Sequence, residues 1–248
     1  MLDVDGTVAP IAPTPAGAVV PETTRDTLRR LVALPGVAVA LVSGRSATDA
    51  WALAGVPGAW VIGNHGFELR NPDGRMDDAG PAAPYRDAIK TAAERLRECE
   101  SRIHGALVEY KGWTISFHYR LVAPEQVDRV IDCAHEVAHS LGLRITEGKK
   151  IAELRPPLDI NKGTATVELA GRFGALNRDG SVLYAGDDRT DEDAFRELRA
   201  RSPRAVTVHV ASSDEQLNPP TQAEITLPST AELREALDWI ASRRSARR

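Results

Sequence analysis

From residue 21 onward the chain alternates between stretches with an apolar residue every three or four positions and short, nearly continuous apolar runs. The first stretch predicts an amphipathic helix over 21–34, with Leu28, Leu31 and Val32 on one face. Val37-Ala38-Val39-Ala40-Leu41-Val42 then reads as a strand and 47–55 as a helix. Residues 59–62 read as a further strand, running into Gly63-Asn64-His65-Gly66-Phe67-Glu68. The rhythm resumes at 158. Lys162-Gly163-Thr164 opens a helical stretch through Val167, Leu169 and Ala170, and Val182-Leu183-Tyr184-Ala185 has the composition of a buried strand. Alternation of strand and helix predicts an α/β fold, with a parallel sheet, helices on both faces and functional loops at the carboxyl ends of the strands.

Between 80 and 156 the period changes. A helix over 82–101 is followed by alternating strands at 107–110 and 114–119, joined by a Lys111-Gly112-Trp113 turn, then by a helix over 124–140 and a hairpin over 143–155. Two helices and four short strands make a small α+β module. The predicted organisation is a core of residues 1–79 and 158–248 with an insertion at 80–157.

Composition narrows the function classes. At 248 residues, with 42% apolar and 27% charged residues, the chain has the balance of a soluble globular protein and can bury a sizeable core. A net charge of −4 disfavours nucleic-acid binding, and the one basic run, Arg243, Arg244, Arg247 and Arg248, reads as a solvated tail. No apolar run is long enough to span a membrane and no signal peptide precedes residue 3, so no membrane partner is expected. Cys99 and Cys133, without CxxC spacing, are expected to be reduced and packed in helices of a cytoplasmic, monomeric protein.

Candidate chemistry sits where the strands end. Asp3-Val4-Asp5-Gly6-Thr7 places two carboxylates at i and i+2, able to aim at one point, although alone it also reads as an Asx-rich turn. Ser43-Gly44-Arg45, Lys162-Gly163-Thr164 and Gly186-Asp187-Asp188-Arg189-Thr190-Asp191 follow in order. Only Met1 and Leu2 precede Asp3, short for a central strand of about five residues, and the expectation is a true start a few codons upstream.

The ordered set Asp pair, Ser, Lys, Asp cluster resembles the haloacid dehalogenase superfamily of phosphatases. The resemblance implies a Rossmann-like core and a cap inserted at 80–157 that reads the leaving group. It makes Asp3 the nucleophile of an aspartyl-phosphate intermediate and Asp5 the acid and base. Ser43 and Lys162 would bind the phosphoryl group. Mg²⁺, a hard cation suited to oxygen ligands, would be held by Asp3, the Asp5 carbonyl and Asp187, with Asp188 and Asp191 behind them.

Within and before the insertion, Gly63-Asn64-His65-Gly66-x-Glu68, Glu109-x-Lys111, His118-x-Arg120 and Gly148-Lys149-x-x-x-Glu153-x-Arg155-Pro156 resemble the trehalose-phosphatase family. That likeness implies that Glu109, Lys111, Arg120, Lys149 and Glu153 bind the disaccharide when the cap closes, and that Arg45, Asn64 and His65 line the core side near the phosphate. The expected reaction is hydrolysis of the small-molecule sugar phosphate trehalose 6-phosphate. Alternatives are another sugar phosphate such as sucrose 6-phosphate or mannosylglycerate phosphate, a phosphosugar mutase, or an inactive regulatory module of a synthase complex.

Overall fold

The computed structural model describes residues 1–12, 14–77, 80–148, 150–212 and 220–246. Lys149, Arg247, Arg248 and the expected boundary at residue 79 lie outside them. The chain divides into two compact units, Met1–Asp77 with Ile160–Arg248, and Asp78–Asp159.

The first unit is built on a seven-stranded sheet. In chain order its strands are β1 (Leu2–Asp3), β2 (Ala40–Val42), β3 (Trp60–Gly63), β4 (Glu68–Arg70), β9 (Val182–Gly186), β10 (Ala205–Val210) and β11 (Ile225–Leu227). Their spatial order is β11-β10-β9-β1-β2-β3-β4, parallel throughout except for the antiparallel β3–β4 pair at one edge. β1, β2, β3 and β9 fulfil the predicted alternation, whereas β10 and β11 extend the sheet beyond what the sequence reading named. β4 arises where a loop was expected, because left-handed turns at Asn64, His65 and Gly66 fold the chain back on β3.

Helices α1 (Glu22–Val32), α2 (Ala47–Ala54) and α7 (Thr230–Ser245) cover one face, where Leu28, Leu31, Ala50, Ala54 and Leu237 join Leu41 and Val61 in one apolar cluster. Helices α5 (Lys162–Arg172) and α6 (Asp191–Arg201) cover the other, packing Leu169, Phe195 and Leu198 around Val42, Ile62 and Tyr184. Local signals start and stop them. The Ser46 hydroxyl accepts from the Asp49 amide to cap α2, and Gly55 in the left-handed region ends it. Asn161 and Thr164 form a reciprocal capping box that fixes where α5, and with it Lys162, begins. Arg243 and Arg244, expected in a solvated tail, belong to the last turn of α7.

The second unit pairs four antiparallel strands, β5 (Leu107–Tyr110), β6 (Ile115–His118), β8 (Ile151–Arg155) and β7 (Arg144–Gly148), in that order. Alternation along them separates two faces. Ile115, Phe117, Ala152 and Leu154 pack against Ile89, Leu96, Val130 and Val137 of α3 (Arg86–Glu100) and α4 (Val127–Ser140). The opposite face carries Glu109, Ser116, His118 and Glu153.

The cysteines correct the sequence expectation. Cys99 of α3 and Cys133 of α4 form a disulfide, with Cα atoms 6.8 Å apart. Spacing along the chain carried no hint of it, because the partners meet only when the two helices pack side by side. No helix among the described residues is long and apolar enough to cross a membrane.

Closing a loop of 34 residues is expected to stabilise this unit by about 3–4 kcal/mol. Urea unfolding of the Cys99→Ser/Cys133→Ser protein should therefore show a loss of that size. A midpoint indifferent to both the substitutions and reductant would show that the thiols are not bonded.

Candidate active site

The site is assembled at the carboxyl ends of β1, β2, β3 and β9. β1 is only two residues long, yet it lies between β2 and β9, pairing Asp3 with Val42 and Leu2 with both Leu41 and Ala185. The Met1 ammonium donates to the Leu183 carbonyl at 2.7 Å, and the Ala185 amide to the Met1 carbonyl at 3.1 Å. Asp3 leaves this strand 4% exposed. The chain then turns at Gly6, φ +90°, where a Cβ would stand 2.1 Å from Asp187 Oδ2, so only glycine admits the approach of that carboxylate.

Lys162, 3% exposed at the start of α5, donates to Asp3 Oδ1 at 2.6 Å and to Asp191 Oδ1 at 2.9 Å, with Asp188 Oδ1 at 3.8 Å. Asp191, fully buried, accepts from four donors: Lys162 and the Tyr184 hydroxyl on Oδ1, and the Asp187 and Asp188 amides on Oδ2. Its lone pairs are thereby occupied. The Thr190 amide and hydroxyl both donate to Asp188 Oδ1 at 2.7 Å. Thr7 Oγ1 reaches Asp187 Oδ1 at 3.3 Å.

Electrostatics follow from crowding. Burial pushes the Asp3 carboxyl well up, and the neighbouring Asp carboxylates add to it while Lys162 opposes. Burial, then the Asp191 and Asp188 charges, push Asp187 up to about 7. Asp188 goes the other way: burial raises it, but Lys162 and the Thr190 donors outweigh that and hold it well below the carboxylate range. Lys162 is held protonated, its desolvation outweighed by Asp191 and Asp3.

Asp3, Asp187 and Asp191 each present an oxygen within 4.8 Å of the others. One ammonium does not neutralise that many carboxylates, so the donor set suits a hard divalent cation. With Asp191 taken up by four donors, Asp3 and Asp187 are the carboxylates able to hold it.

A second network flanks this one. Arg45 grips Asp5 in a fork, Nε to Oδ2 at 2.7 Å and Nη2 to Oδ1 at 2.6 Å. Ser43 is buried, and its hydroxyl accepts from the Arg45 amide. Asn64 and His65 adopt left-handed conformations, φ 49° and 55°, costing of order 1–3 kcal/mol each. Their amides donate to the Arg45 and Ser43 carbonyls, and the Glu68 carboxylate accepts from Asn64 Nδ2 at 2.7 Å and the Ala47 amide at 2.6 Å. Burial pushes the Glu68 carboxyl up, opposed by these two donors. Gly44 lies under the His65 ring, where a Cβ would sit 2.5 Å from ring atoms.

Within the second unit, Glu109 Oε2 lies 3.0 Å from His118 Nε2 and 3.5 Å from Lys111 Nζ. Ser116 stands opposite both Glu109 and Glu153 in the strand register, which sets the two carboxylates on the same face. Arg120, exposed beyond β6, shares no hydrogen bond or ion pair with that cluster among the described residues. Lys149 lies outside them.

The sequence model of trehalose-phosphatases matches residues 1–231. The chain belongs to the trehalose-phosphatase family. Trehalose-phosphate phosphatase of Mycobacterium avium is 37% identical over 246 residues, 96% of this chain and 61% of that protein. A Mycobacterium tuberculosis protein named as an uncharacterized glycosyl hydrolase is 37% identical over 216 residues, 86% of this chain and 16% of its own length. The family member described here thus spans about three fifths of the one relative and about one sixth of the other. In fold it is similar to a solved trehalose-6-phosphate phosphatase related protein, with TM-score 0.81, 23% identity and coverage of 100% of this chain and 98% of that one. It is also similar in fold to a solved haloacid dehalogenase-like hydrolase from Bacteroides thetaiotaomicron, with TM-score 0.63, 16% identity and coverage of 96% of this chain and 97% of that one, so the fold is the haloacid dehalogenase-like one that the motif order implied.

Two participants escaped the sequence reading. Tyr184 sits in an apolar strand and reads as core, yet its hydroxyl holds Asp191. Glu68 was visible only as the end of a motif; an acidic residue five positions after Gly63 was the signal.

Removing the ammonium should expose its structural weight. Lys162→Met leaves buried carboxylates without their cation and is expected to cost about 3–5 kcal/mol in denaturant unfolding without divalent ions. A variant as stable as the parent would mean that Asp3 and Asp191 are not ionised together.

Proposed function

We propose that this member of the trehalose-phosphatase family is a Mg²⁺-dependent phosphatase that hydrolyses trehalose 6-phosphate to trehalose and phosphate. The observation that carries the reading is the pairing of a buried Asp3, bonded to Lys162, with an Asp5 two residues on that Arg45 grips separately. One carboxylate is thereby kept for attack and the other for proton transfer.

In this reading Asp3 attacks phosphorus, the bond from phosphorus to the sugar oxygen breaks, and Asp5, protonated on one oxygen while the other keeps its bond to Arg45, gives that sugar oxygen its proton. Water then attacks the aspartyl phosphate while Asp5 takes a proton from it, and phosphate leaves as Asp3 is restored. Ser43 and Lys162 bind the transferring phosphoryl group, and Asn64 and His65 line its approach. Arg45 holds Asp5 in place. Asp3, Asp187 and the Asp5 carbonyl would hold Mg²⁺, which supplies charge neutralisation on the phosphoryl oxygens.

Residues 80–157 form the specificity unit in this proposal. Glu109, Lys111 and Glu153, with Arg120 and Lys149, recognise the sugar, since a mixed set of carboxylates and cations suits hydroxyls that both donate and accept. The M. avium relative's name supports trehalose as the leaving group. Retention of Asp3, Asp5, Ser43, Lys162 and Asp187 speaks against an inactive module. We take the protein as a cytoplasmic monomer: a sugar phosphate dianion stays in the compartment where it is made, although the Cys99–Cys133 bond weighs against strongly reducing surroundings.

Phosphate release across a panel of sugar phosphates, with and without Mg²⁺, tests the reaction. Trehalose 6-phosphate should be preferred and Mg²⁺ required; turnover no better than that of glucose 6-phosphate sinks the substrate assignment. Asp3→Asn should lower kcat by about 10⁴-fold or more. Glu153→Ala should raise KM for trehalose 6-phosphate by about 10- to 100-fold and spare a small aryl phosphate. Equal losses on both substrates would remove Glu153 from the sugar pocket.

A further inference from the structure

Glu68 is the point where the two loops flanking Asp5 are tied together. One loop carries Ser43, Gly44 and Arg45 from the end of β2 into α2; the other carries Asn64 and His65 from β3 into β4. The Asn64 and His65 amides already donate across to the first loop, at 2.7 Å to the Arg45 carbonyl and 3.0 Å to the Ser43 carbonyl. Both donors sit on residues with positive φ and a side chain, a conformation that relaxes unless held. Glu68 supplies the hold. One oxygen accepts from the Asn64 side-chain amide and the other from the backbone amide of Ala47, the first residue of α2.

We propose that Glu68 is a positioning residue for the phosphatase reaction: it locks the Ser43–Arg45 loop and the Asn64–His65 turn into one body, so that Arg45 meets Asp5 in its two-bond fork. The inference rests on the phosphatase reading above. Glu68 makes no hydrogen bond or ion pair with Asp3, Asp5 or Lys162 among the described residues, so it acts only through its neighbours. The chemistry calls for a carboxylate, because two donors from different loops converge on it. A glutamine of the same length has one acceptor oxygen and must turn its own amide toward one of those donors. Nor can the loops readjust freely: a Cβ at Gly63 would come within 2.2 Å of the Ala47 amide nitrogen, and one at Gly44 within 2.5 Å of the His65 ring. The contact is tight on both sides, so a shift in either loop is passed to Arg45 and from there to Asp5.

Glu68→Gln, which preserves volume, is the test variant. On the alkyl phosphate best used by the parent enzyme, kcat should fall by about 10- to 100-fold with KM nearly unchanged. On p-nitrophenyl phosphate, whose leaving group departs without a proton from Asp5, the loss in kcat/KM should be several-fold smaller than on the alkyl phosphate. Arg45→Lys should reproduce the same split. Glu68→Asp, which keeps both acceptors, should recover part of the loss. Amide hydrogen exchange supplies a readout independent of turnover: segments 43–47 and 63–67 should lose protection in Glu68→Gln while α5 and α7 keep theirs. Unchanged protection in those two segments overturns the proposal, as does an equal loss of kcat/KM on both substrates, since kcat/KM ends at departure of the leaving group. The parent's rank order of sugar phosphates tests the trehalose reading separately. A preference for a different sugar phosphate would sink that reading and leave the Glu68 comparison measurable on the preferred substrate.

Discussion

An ammonium group enclosed among carboxylates sets the terms for the whole of the first unit. Lys162 is 3% exposed and bonded to Asp3 and Asp191, and neither acid reaches bulk water. A charge withdrawn from solvent in this way is tolerable only if every partner stays in place, because losing one leaves the others buried and unpaired. Much of the surrounding architecture answers to that demand. The Asn161–Thr164 capping box fixes the first turn of α5 and so the origin of the Lys162 side chain. Tyr184 and two backbone amides take up the remaining valence of Asp191. Gly186 must be glycine because a Cβ there would lie 2.2 Å from the Asp191 carboxyl carbon.

The same demand explains how a strand of two residues can hold the buried Asp3. β1 owes little to its own length. Its rigidity comes from parallel neighbours on both sides, from Val4 and Val8 buried directly after it, and from the Lys162 bond at its tip. Side chains contributed by distant segments hold Asp3 more firmly than strand pairing alone could.

What could be read from the sequence divides along the distance over which each interaction acts. Capping residues, periodicity and the short motifs around Asp3, Ser43, Lys162 and Asp187 are local signals, and the elements bearing them formed within a few residues of expectation. The antiparallel β4 was missed because it depends on positive φ at Asn64 and His65, which ordinarily favours glycine. The Arg45 fork on Asp5 joins residues 40 positions apart, and the bridge from Cys99 to Cys133 joins residues 34 apart. Nothing along the chain marks such pairs, since packing alone decides which side chains meet. The Cys99–Cys133 bond also reverses an inference from composition: two cysteines without a spacing pattern are not thereby free thiols.

The four-stranded sheet of the inserted unit places its two duties on alternate residues of the same strands. Ile115, Phe117, Ala152 and Leu154 point to α3 and α4, while Ser116, His118 and Glu153 point the opposite way. The first set is constrained by close packing against the helices, and Ser116 is buried as well, whereas His118 and Glu153 are partly exposed. His118 and Glu153 can therefore be exchanged without disturbing the hydrophobic contacts that keep the unit folded. Such a sheet is suited to divergence: if the inserted unit reads the leaving group as proposed, new preferences can be explored by drift on its polar side chains while the apolar face preserves the scaffold.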